Sequence, residues 1–281
     1  MFRNAVVCTD LSLCSDGIVK CAEQLSVLGV YDAVLVHIIE LDHSGAVPGT
    51  DGDAVFERQV EELEHAGITV RVDTAVGYAP YEIERIALEH EAGLIVAGSH
   101  GRGLLDGVMS GSVSSDLVRI AQRPILLTAS FGKNDPERVG ASCASMLSNV
   151  LFPSDFTSTH EHATRLVIEL ADKGLRSVTL LHVVQRDASS GAKFFADKAH
   201  DKLTAFAAHL RDMGVRDVRT EVLVGDAERI VSQAAASGEY SLIVLGPHCG
   251  EDSDAALDSV TNATLQTTVV PVLLAPPRWR P

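Results

Sequence analysis

The chain repeats itself once along its length. The apolar run Val34–His37 has a counterpart in Thr179–His182, and the proline-containing run Arg123–Leu127 has a counterpart in Val270–Leu274. A period of about 145 residues is far too long for a solenoid unit, but it matches the size of an ordinary domain. The sequence therefore predicts two copies of one domain, each large enough to bury its own core.

Each half alternates β-rich runs with helical stretches. Strands are predicted near residues 4–9, 32–39, 68–75, 93–97, 124–128, 148–153, 177–184, 217–223, 241–245 and 270–275. Helices are predicted between them, in the first half near residues 15–28, 53–66, 79–91 and 112–121. Alternation of strands and helices indicates a parallel sheet with helices on both faces. We therefore predict an α/β fold of two doubly wound, five-stranded parallel-sheet domains.

A polar stretch separates the two halves. It contains Gly132–Glu137, where glycine, asparagine and proline lie close together, and such residues favour loops. We predict a first domain over residues 1–130 and a second domain over residues 147–281. The linker between them is predicted over residues 131–146, with one helical turn at Ala141–Leu147.

The composition excludes several classes of partner. The formal net charge is −15, whereas binding to nucleic acid without sequence preference needs Lys and Arg on the phosphates. Aromatic residues make up 5% of the chain, too few to supply stacking platforms for single strands. No run reaches the roughly 18 apolar residues of a membrane span. We therefore expect neither nucleic acid nor a membrane as a partner.

The cysteines indicate a compartment. There are five of them, an odd number, and none lies in a C-x-x-C pair. This pattern argues against a disulfide scaffold and favours a reducing cytoplasm. Cys14 and Cys21 share one face of a predicted helix, where they are expected to be buried as small apolar residues. A redox sensor is the alternative for these two thiols.

Glycines at a particular spacing lie near the end of the first half. Gly98 and Gly101 are followed, nine residues later, by Gly111 and Ser112. An apolar run precedes this segment and an amphipathic run follows it, which predicts a strand, a glycine loop and the start of a helix. Such a junction offers backbone N–H groups and the positive end of the helix dipole to an anion, usually a phosphate.

These residues together resemble the universal stress protein family in its tandem, two-domain form. The family signature G-x2-G-x9-G-[S/T] is complete at Gly98, Gly101, Gly111 and Ser112. The resemblance extends to a first strand that ends in Asp, a second strand that ends in a His-apolar pair, and a last strand that begins with x-Pro-[IV]-Leu. It covers nearly the whole chain except the linker, and it implies a flavodoxin-like or adenine nucleotide α-hydrolase-like fold.

The resemblance implies that the ligand is ATP, with AMP or ADP as alternatives, bound with or without Mg²⁺. Asp10 would bind the adenine or ribose side, and Ile38 would flank the base. The ribose and phosphates would be lined by Gly98, His100, Gly101 and Arg102. The phosphate oxygens would be held at the helix start by Gly111, Ser112, Val113 and Ser114. Asp10 has a second interpretation, as a cap of the following helix.

Members of the family pair through their last strands. The resemblance therefore implies an intramolecular pseudo-dimer, in which Arg123–Thr128 and Val269–Ala275 supply these strands. Association of two chains into a homodimer stays open. His37 and His182 end buried strands, and we expect them to be hydrogen-bonded core or edge residues rather than catalysts.

The second half departs from the signature. Cys249, or a slipped Gly250, stands where the second glycine belongs, and Asp258 stands opposite Gly111. Four carboxylates lie in or beside this loop, namely Glu251, Asp252, Asp254 and Asp258. Like charges there oppose a triphosphate. We therefore predict one nucleotide for each chain, bound by the first half.

Function follows from these features in one of three forms. The favoured form is an ATP-binding stress-response or signalling protein that acts through a ligand-dependent conformation and has no catalytic residue or metal site. The alternatives are an interaction module that binds no nucleotide and a slow ATPase. The P-loop pattern G-x-x-x-x-G-K-[ST] is absent from the sequence, so the lysine and hydroxyl that drive hydrolysis in P-loop proteins are missing.

Overall fold

The structure is a computed structural model that describes residues 2–39, 53–98, 112–128, 135–156, 158–185, 192–247 and 257–279. The chain divides into two compact units. The first comprises residues 1–144, and the second comprises residues 145–277; residues 278 and 279 at the C-terminus group with the first unit.

The first unit alternates strands and helices as the sequence predicts. Its strands are β1 (Asn4–Thr9), β2 (Asp32–Ile39), β3 (Thr69–Val76), β4 (Leu94–Gly98) and β5 (Ile125–Thr128). Its helices are α1 (Leu13–Ala22), α2 (Asp53–His65), α3 (Ala79–Glu89), α4 (Ser112–Ile120) and α5 (Pro136–Ala144). A short 3₁₀ turn over Leu25–Leu28 follows α1 and ends at Gly29, which has a φ of 82°.

The second unit repeats this order. Its strands are β6 (Val150–Pro153), β7 (Ser177–Val184), β8 (Asp217–Val224), β9 (Leu242–Leu245) and β10 (Val272–Leu274). Its helices are α6 (Ser158–Asp172), α7 (Ala192–Asp212), α8 (Ala227–Ala236) and α9 (Ser259–Thr267). The predicted strand positions are confirmed in both halves.

Both sheets are parallel and have the same strand order. The order is β3-β2-β1-β4-β5 in the first unit and β8-β7-β6-β9-β10 in the second. Because crossovers between parallel strands are right-handed, helices after β1 and β2 cover one face and helices after β3 and β4 cover the other. Accordingly, α1 packs against α2, and α3 packs against α4. No helix in the described ranges is long and apolar enough to cross a membrane.

Burial on both faces explains why the central strands are continuous apolar runs. All four residues of β5 and the first four of β4 are buried. The edge strand β3 differs, because only one neighbour covers it, and its residues are exposed or half-buried. The core therefore lies around β1, β4 and β5, and the carboxyl ends of β1 and β4 lead into the predicted site.

The segment between the halves contains a helix that is longer than predicted. The single turn expected at Ala141–Leu147 is wrong, because α5 begins at Pro136 and ends at Ala144. Proline is favourable in the first turn, where its missing N–H has no intrahelical partner to lose, and Asp135 accepts a hydrogen bond from the N–H of Arg138 at 3.0 Å. The helix packs along α1 of the first unit.

Helices α1 and α5 approach closely at two glycines. A Cβ added to Gly17 would lie 3.0 Å from the Cγ2 atom of Val139, and one added to Gly140 would lie 3.2 Å from the carbonyl oxygen of Lys20. A larger side chain at either position would push the helices apart. The missing Cβ atoms therefore permit the close packing of α5 on α1, where Gly17 faces the Val139 side chain and Gly140 faces Lys20.

The same contact carries a disulfide. Cys21 of α1 and Cys143 of α5 are bonded, with their Cα atoms 5.2 Å apart, and both are fully buried. The expectation of unpaired cysteines is therefore wrong. The number and spacing of the cysteines did not predict this bond, because the two cysteines lie 122 positions apart and only the fold brings them together. Of the cysteines whose side chains the structure describes, Cys8 is free.

Removing the disulfide should destabilise the first unit. A crosslink across 122 residues restricts the unfolded chain strongly, and the chain-entropy model assigns about 4–5 kcal/mol to a loop of that length. We expect Cys143→Ser to lower the free energy of unfolding of the oxidised protein by up to that amount, measured by denaturant titration. Wild-type protein should lose the same stability in excess reductant, and the variant should not respond. Equal stability of oxidised and reduced wild type would contradict this expectation.

Candidate functional site

The candidate site lies at the carboxyl edge of the first sheet. Strand β1 pairs with β2 on one side and with β4 on the other, and Val7 is in register with Val96. The chain therefore leaves two neighbouring strands, after Thr9 and after Gly98, and turns away in opposite directions. In open α/β sheets, ligands bind at such a switch point.

The predicted site residues divide into two groups. The structure describes Asp10, Ile38, Gly98, Ser112, Val113 and Ser114, and it brings them to this edge of the sheet at the ends of β1, β2 and β4 and the start of α4. Outside the described residues lie His100, Gly101, Arg102 and Gly111. The roles of both groups toward a ligand remain predictions.

Asp10 organises a tight turn between β1 and α1. Its Oδ1 accepts hydrogen bonds from the backbone N–H of Ser12 at 3.0 Å and from the Ser12 hydroxyl at 2.6 Å. Leu11, between them, has a φ of 60°, which is uncommon for a residue with a side chain. The Ser12 carbonyl then accepts from the N–H of Ser15 at 3.0 Å. Asp10 thus supports the start of α1 through Ser12, and the turn fixes the position of its carboxylate.

Histidines join the ends of β1 and β2. His37 Nδ1 lies 2.9 Å from the carbonyl oxygen of Thr9, and His182 Nδ1 lies 2.7 Å from that of Ser154 in the second unit. Because a carbonyl can only accept, Nδ1 carries the proton in both rings. The prediction that these histidines are hydrogen-bonded at the strand ends is confirmed. Ile38 follows His37 and is half-buried.

The two ends of the glycine loop are joined by one hydrogen bond. The hydroxyl of Ser114, in the first turn of α4, donates to the carbonyl oxygen of Gly98 at 2.7 Å. Ser114 is 8% exposed. A hydroxyl has a single proton, so in this structure Ser114 uses it to hold the helix start against the end of β4. The first N–H groups of α4 lie at this position, close to the switch point.

In the second unit, a carboxylate of the protein itself accepts hydrogen bonds at the corresponding helix start. Asp258 is the N-cap of α9; its Oδ1 accepts from the N–H of Thr261 at 2.8 Å, and its Oδ2 accepts from the Thr261 hydroxyl at 2.7 Å. Helices α4 and α9 begin one residue after Gly111 and Asp258, which confirms the predicted alignment. Thr261 therefore corresponds to Ser114, but its hydroxyl serves the cap.

The other side of this edge also differs in the second unit. Phe156, with a φ of 61°, occupies the turn position of Leu11. Its ring centroid lies 4.7 Å from that of His182, and the Nζ of Lys202 lies 4.6 Å from the Phe156 ring. An aromatic stack with a cation above it therefore covers the end of β7, where the first unit has a small aliphatic side chain.

Two electrostatic features bear on the chemistry at this edge. Desolvation raises the pKa of the Cys8 thiol to about 12, so the thiol next to Thr9 is protonated at ordinary pH. No group of three or more His, Cys, Asp or Glu side chains among the described residues is arranged to hold a metal ion.

Gln59 is a residue at this edge that the sequence did not single out. It lies on α2, it is 0% exposed, and its side chain contacts Thr9, at the end of β1, and the first turn of α1. A glutamine in a charged helical segment is ordinarily read as solvated. The sequence held a weak indication of this burial, because Gln59 lies one turn before Leu63 on the apolar face of α2.

Two doubly wound parallel-sheet domains with the same strand order in one chain define a tandem α/β protein. The model of the universal stress protein family matches residues 1–129 and 146–276. The chain belongs to the universal stress protein family, in its tandem form.

Two curated relatives that match about two thirds of the chain are mycobacterial. Universal stress protein Rv2005c of Mycobacterium tuberculosis and universal stress protein Mb2028c of Mycobacterium bovis are each 30% identical to this chain over 202 residues, which is 68% of this chain. The match spans 64% of the relatives' own length.

Solved structures show the same fold over the whole chain. A universal stress protein from Archaeoglobus fulgidus superposes with a TM-score of 0.73 at 18% identity and covers 98% of both chains. One from Pseudomonas aeruginosa, described as a putative universal stress protein, has a TM-score of 0.69 at 15% identity and covers 99% of this chain and 94% of its own. At these identities the likeness concerns the fold.

The cap of α9 should contribute to the stability of the second unit. Asp258→Ala removes both hydrogen bonds to Thr261 and a negative charge at the positive end of the helix dipole. We expect the free energy of unfolding of the second unit to fall by about 1 kcal/mol, the usual cost of losing an Asp cap. Denaturant titration measures the change. Asp258→Asn, which keeps an oxygen acceptor, should lose less; an equal loss in both variants would show that the cap hydrogen bonds are not the cause.

Proposed function

We propose that this chain is an ATP-binding protein of the stress response that holds one adenine nucleotide at the carboxyl edge of its first unit. Bound nucleotide would act by stabilising one conformation, which a partner then recognises. Membership of the universal stress protein family supports a stress-response role, and the completeness of the glycine signature in the first half supports the nucleotide.

The observation that carries the proposal is a difference between the two units at the start of the equivalent helices α4 and α9. In the second unit, Asp258 supplies an internal anion to the N–H group of Thr261. In the first unit, the same position is Gly111, which has no side chain to do this. The N-terminal N–H groups and dipole of α4 favour an anion. A phosphate group is the anion for which a glycine loop leaves room.

The proposed contacts follow from the edge geometry. Asp10, fixed by the turn, would bind the adenine or ribose side, and half-buried Ile38 would flank the base. The ribose and phosphates would be lined by Gly98, His100, Gly101 and Arg102. The phosphate oxygens would be held by Gly111, Ser112, Val113 and Ser114, the last through its backbone N–H because its hydroxyl donates to the Gly98 carbonyl. AMP or ADP would share the base contacts and use fewer of the phosphate contacts.

Holding the nucleotide fits these residues better than cleaving it. Rapid phosphoryl transfer needs positive charge on the transferred phosphate and a group that positions the nucleophile. Between Gly98 and Ser114, Arg102 is the single Lys or Arg in the sequence. Backbone dipoles, hydroxyls and one guanidinium suit binding, and Mg²⁺ could accompany the phosphates without a dedicated protein site.

Placing an aspartate before α4 should remove nucleotide binding. Gly111→Asp would give the first unit the residue that caps α9 in the second unit. The new carboxylate would accept hydrogen bonds from the N-terminal N–H groups of α4, which the proposal assigns to phosphate. We expect ATP affinity to fall by at least a hundredfold, about 2.7 kcal/mol, in isothermal titration calorimetry.

The matched control is Asp258→Ala, at the equivalent position of the second unit, which should leave ATP affinity unchanged. Circular dichroism checks that both variants are folded. Unchanged ATP affinity in folded Gly111→Asp would refute the phosphate assignment of this loop.

Nucleotide should bind with a stoichiometry of one per chain. The first unit carries the complete signature, whereas Asp258 and the stack of Phe156 on His182 fill the corresponding edge of the second. Calorimetric titration should give one site, and mass spectrometry of the denatured, purified protein should identify the nucleotide that it releases. Two equivalent sites would show that the second unit is competent. A chain that neither carries nor binds an adenine nucleotide would favour the interaction module instead.

A further inference from the structure

A buried glutamine connects α2 to both sides of the turn that carries Asp10. The Oε1 atom of Gln59 lies 2.7 Å from the Thr9 hydroxyl, before the turn. The Nε2 atom lies 2.8 Å from Oδ1 of Asp16 and 3.3 Å from the hydroxyl of Ser15, both after the turn. We call Gln59 together with Thr9, Ser15 and Asp16 the turn clamp.

The donors and acceptors of the turn clamp fix the orientation of the Gln59 amide. The Thr9 hydroxyl lies closer to Gln59 Oε1, at 2.7 Å, than to the Ser15 hydroxyl oxygen, at 3.0 Å. The Ser15 hydroxyl donates its only proton to the carbonyl oxygen of Ser12 at 2.7 Å, so toward Gln59 it can only accept. The Asp16 carboxylate accepts as well. The two protons of the Gln59 amide are therefore directed at Ser15 and Asp16, and its oxygen accepts from Thr9. The amide makes a hydrogen bond with each of its polar atoms, which a fully buried group requires.

The turn clamp acts on the backbone of the turn itself. With its proton given to Gln59, the Thr9 hydroxyl oxygen accepts from the backbone N–H of Leu11 at 3.1 Å. Leu11 is the residue with positive φ, a conformation that persists where surrounding contacts determine it. Gln59 therefore orients Thr9, and Thr9 holds Leu11 in place. Asp10 lies between these two residues.

The second unit has replaced this amide by an aromatic ring. The N–H of Ile68 donates to the carbonyl of Leu63, and that of Val215 donates to the carbonyl of Leu210, so the C-terminal ends of α2 and α7 correspond. On this alignment the position of Gln59 is Phe206. The Phe206 ring packs edge-on against Phe152 of β6, with centroids 6.1 Å apart. An apolar contact can therefore join this helix to the sheet without any clamp.

We infer that Gln59 is a positioning residue for the nucleotide: through Thr9, Ser15 and Asp16 it holds the β1–α1 turn so that the Asp10 carboxylate meets the base or ribose in a fixed place. The inference rests on the proposed function. Its physical basis is pre-organisation, because a turn that is already ordered costs less on binding. The polar amide appears in the unit with the intact glycine signature, and the ring appears in the unit without it.

The test separates positioning from stability. Gln59→Met keeps the length and volume of the side chain but removes its hydrogen bonds. We expect ATP affinity to fall at least tenfold by calorimetry, and the amides of residues 9–12 to exchange hydrogen faster in the nucleotide-free protein. Leu63→Ala is the control, because it cuts a fully buried side chain one turn further along α2 and leaves the turn clamp intact. It should destabilise the first unit at least as much, with ATP affinity within twofold of wild type.

A double-mutant cycle shows whether Gln59 acts through Thr9. Thr9→Val should also weaken ATP binding, and Thr9→Val with Gln59→Met should weaken it no further than the larger single effect. Should Gln59→Met fail to fold, Gln59→Asn, which keeps the amide but shortens its reach, should show the same loss of affinity.

The outcomes distinguish this inference from the proposed function. Wild-type affinity in folded Gln59→Met, or an equal loss in Leu63→Ala, overturns the positioning role while ATP binding by the wild type stands. Additive losses in the cycle overturn the route through Thr9. A wild-type chain that binds no adenine nucleotide overturns the proposed function and this inference together.

Discussion

The arrangement of the first unit depends on the pairing of β1 between β2 and β4. This parallel register places the ends of three strands at one edge and makes the chain turn in opposite directions after Thr9 and after Gly98. Two hydrogen bonds at the edge follow from that geometry. His37, on β2, donates to the carbonyl oxygen of Thr9, and the hydroxyl of Ser114 donates to the carbonyl oxygen of Gly98 at the end of β4. Without this register, the β1–α1 turn and the start of α4 would not lie at the same edge of the sheet.

Much of this fold could be predicted from the sequence. Val/Ile/Leu runs at regular spacing identify buried parallel strands, since burial on both faces demands apolar side chains throughout. Gly98 and the start of α4 were placed correctly because glycine spacing reflects a local backbone requirement. The capping carboxylate of Asp258 was foreseen as an opponent of phosphate, although not as the residue that satisfies Thr261.

The features that escaped prediction depend on contacts between distant segments. Cys21 and Cys143 each look like an isolated buried cysteine, and only the packing of α5 on α1 pairs them. Pro136 was interpreted as a loop residue, whereas it begins a helix. Gln59 lies in a segment rich in charge, where a glutamine ordinarily faces water. Its burial depends on three partners in β1 and α1, which no local pattern reveals.

The two units share the contacts that hold the fold together and differ at the carboxyl edge of the sheet. Both retain the histidine that joins the second strand to the first, and both retain a residue of positive φ in the following turn. These features belong to the fold. The second unit differs where a ligand would lie: a carboxylate caps α9, and Phe156 covers the strand end. Internal groups there satisfy what a nucleotide would satisfy in the first unit.

Helix α1 is where the constraints of the first unit meet. At its start, Ser15 and Asp16 are tied to α2 by Gln59, and Arg58 adds an ion pair to Asp16 at 2.8 Å. Near its end, the bond from Cys21 to α5 is covalent. The turn before α1 therefore leads into a helix that is fixed at both ends. Under the proposed function, Asp10 would gain from this arrangement the positional precision that is usual for binding residues on rigid secondary structure.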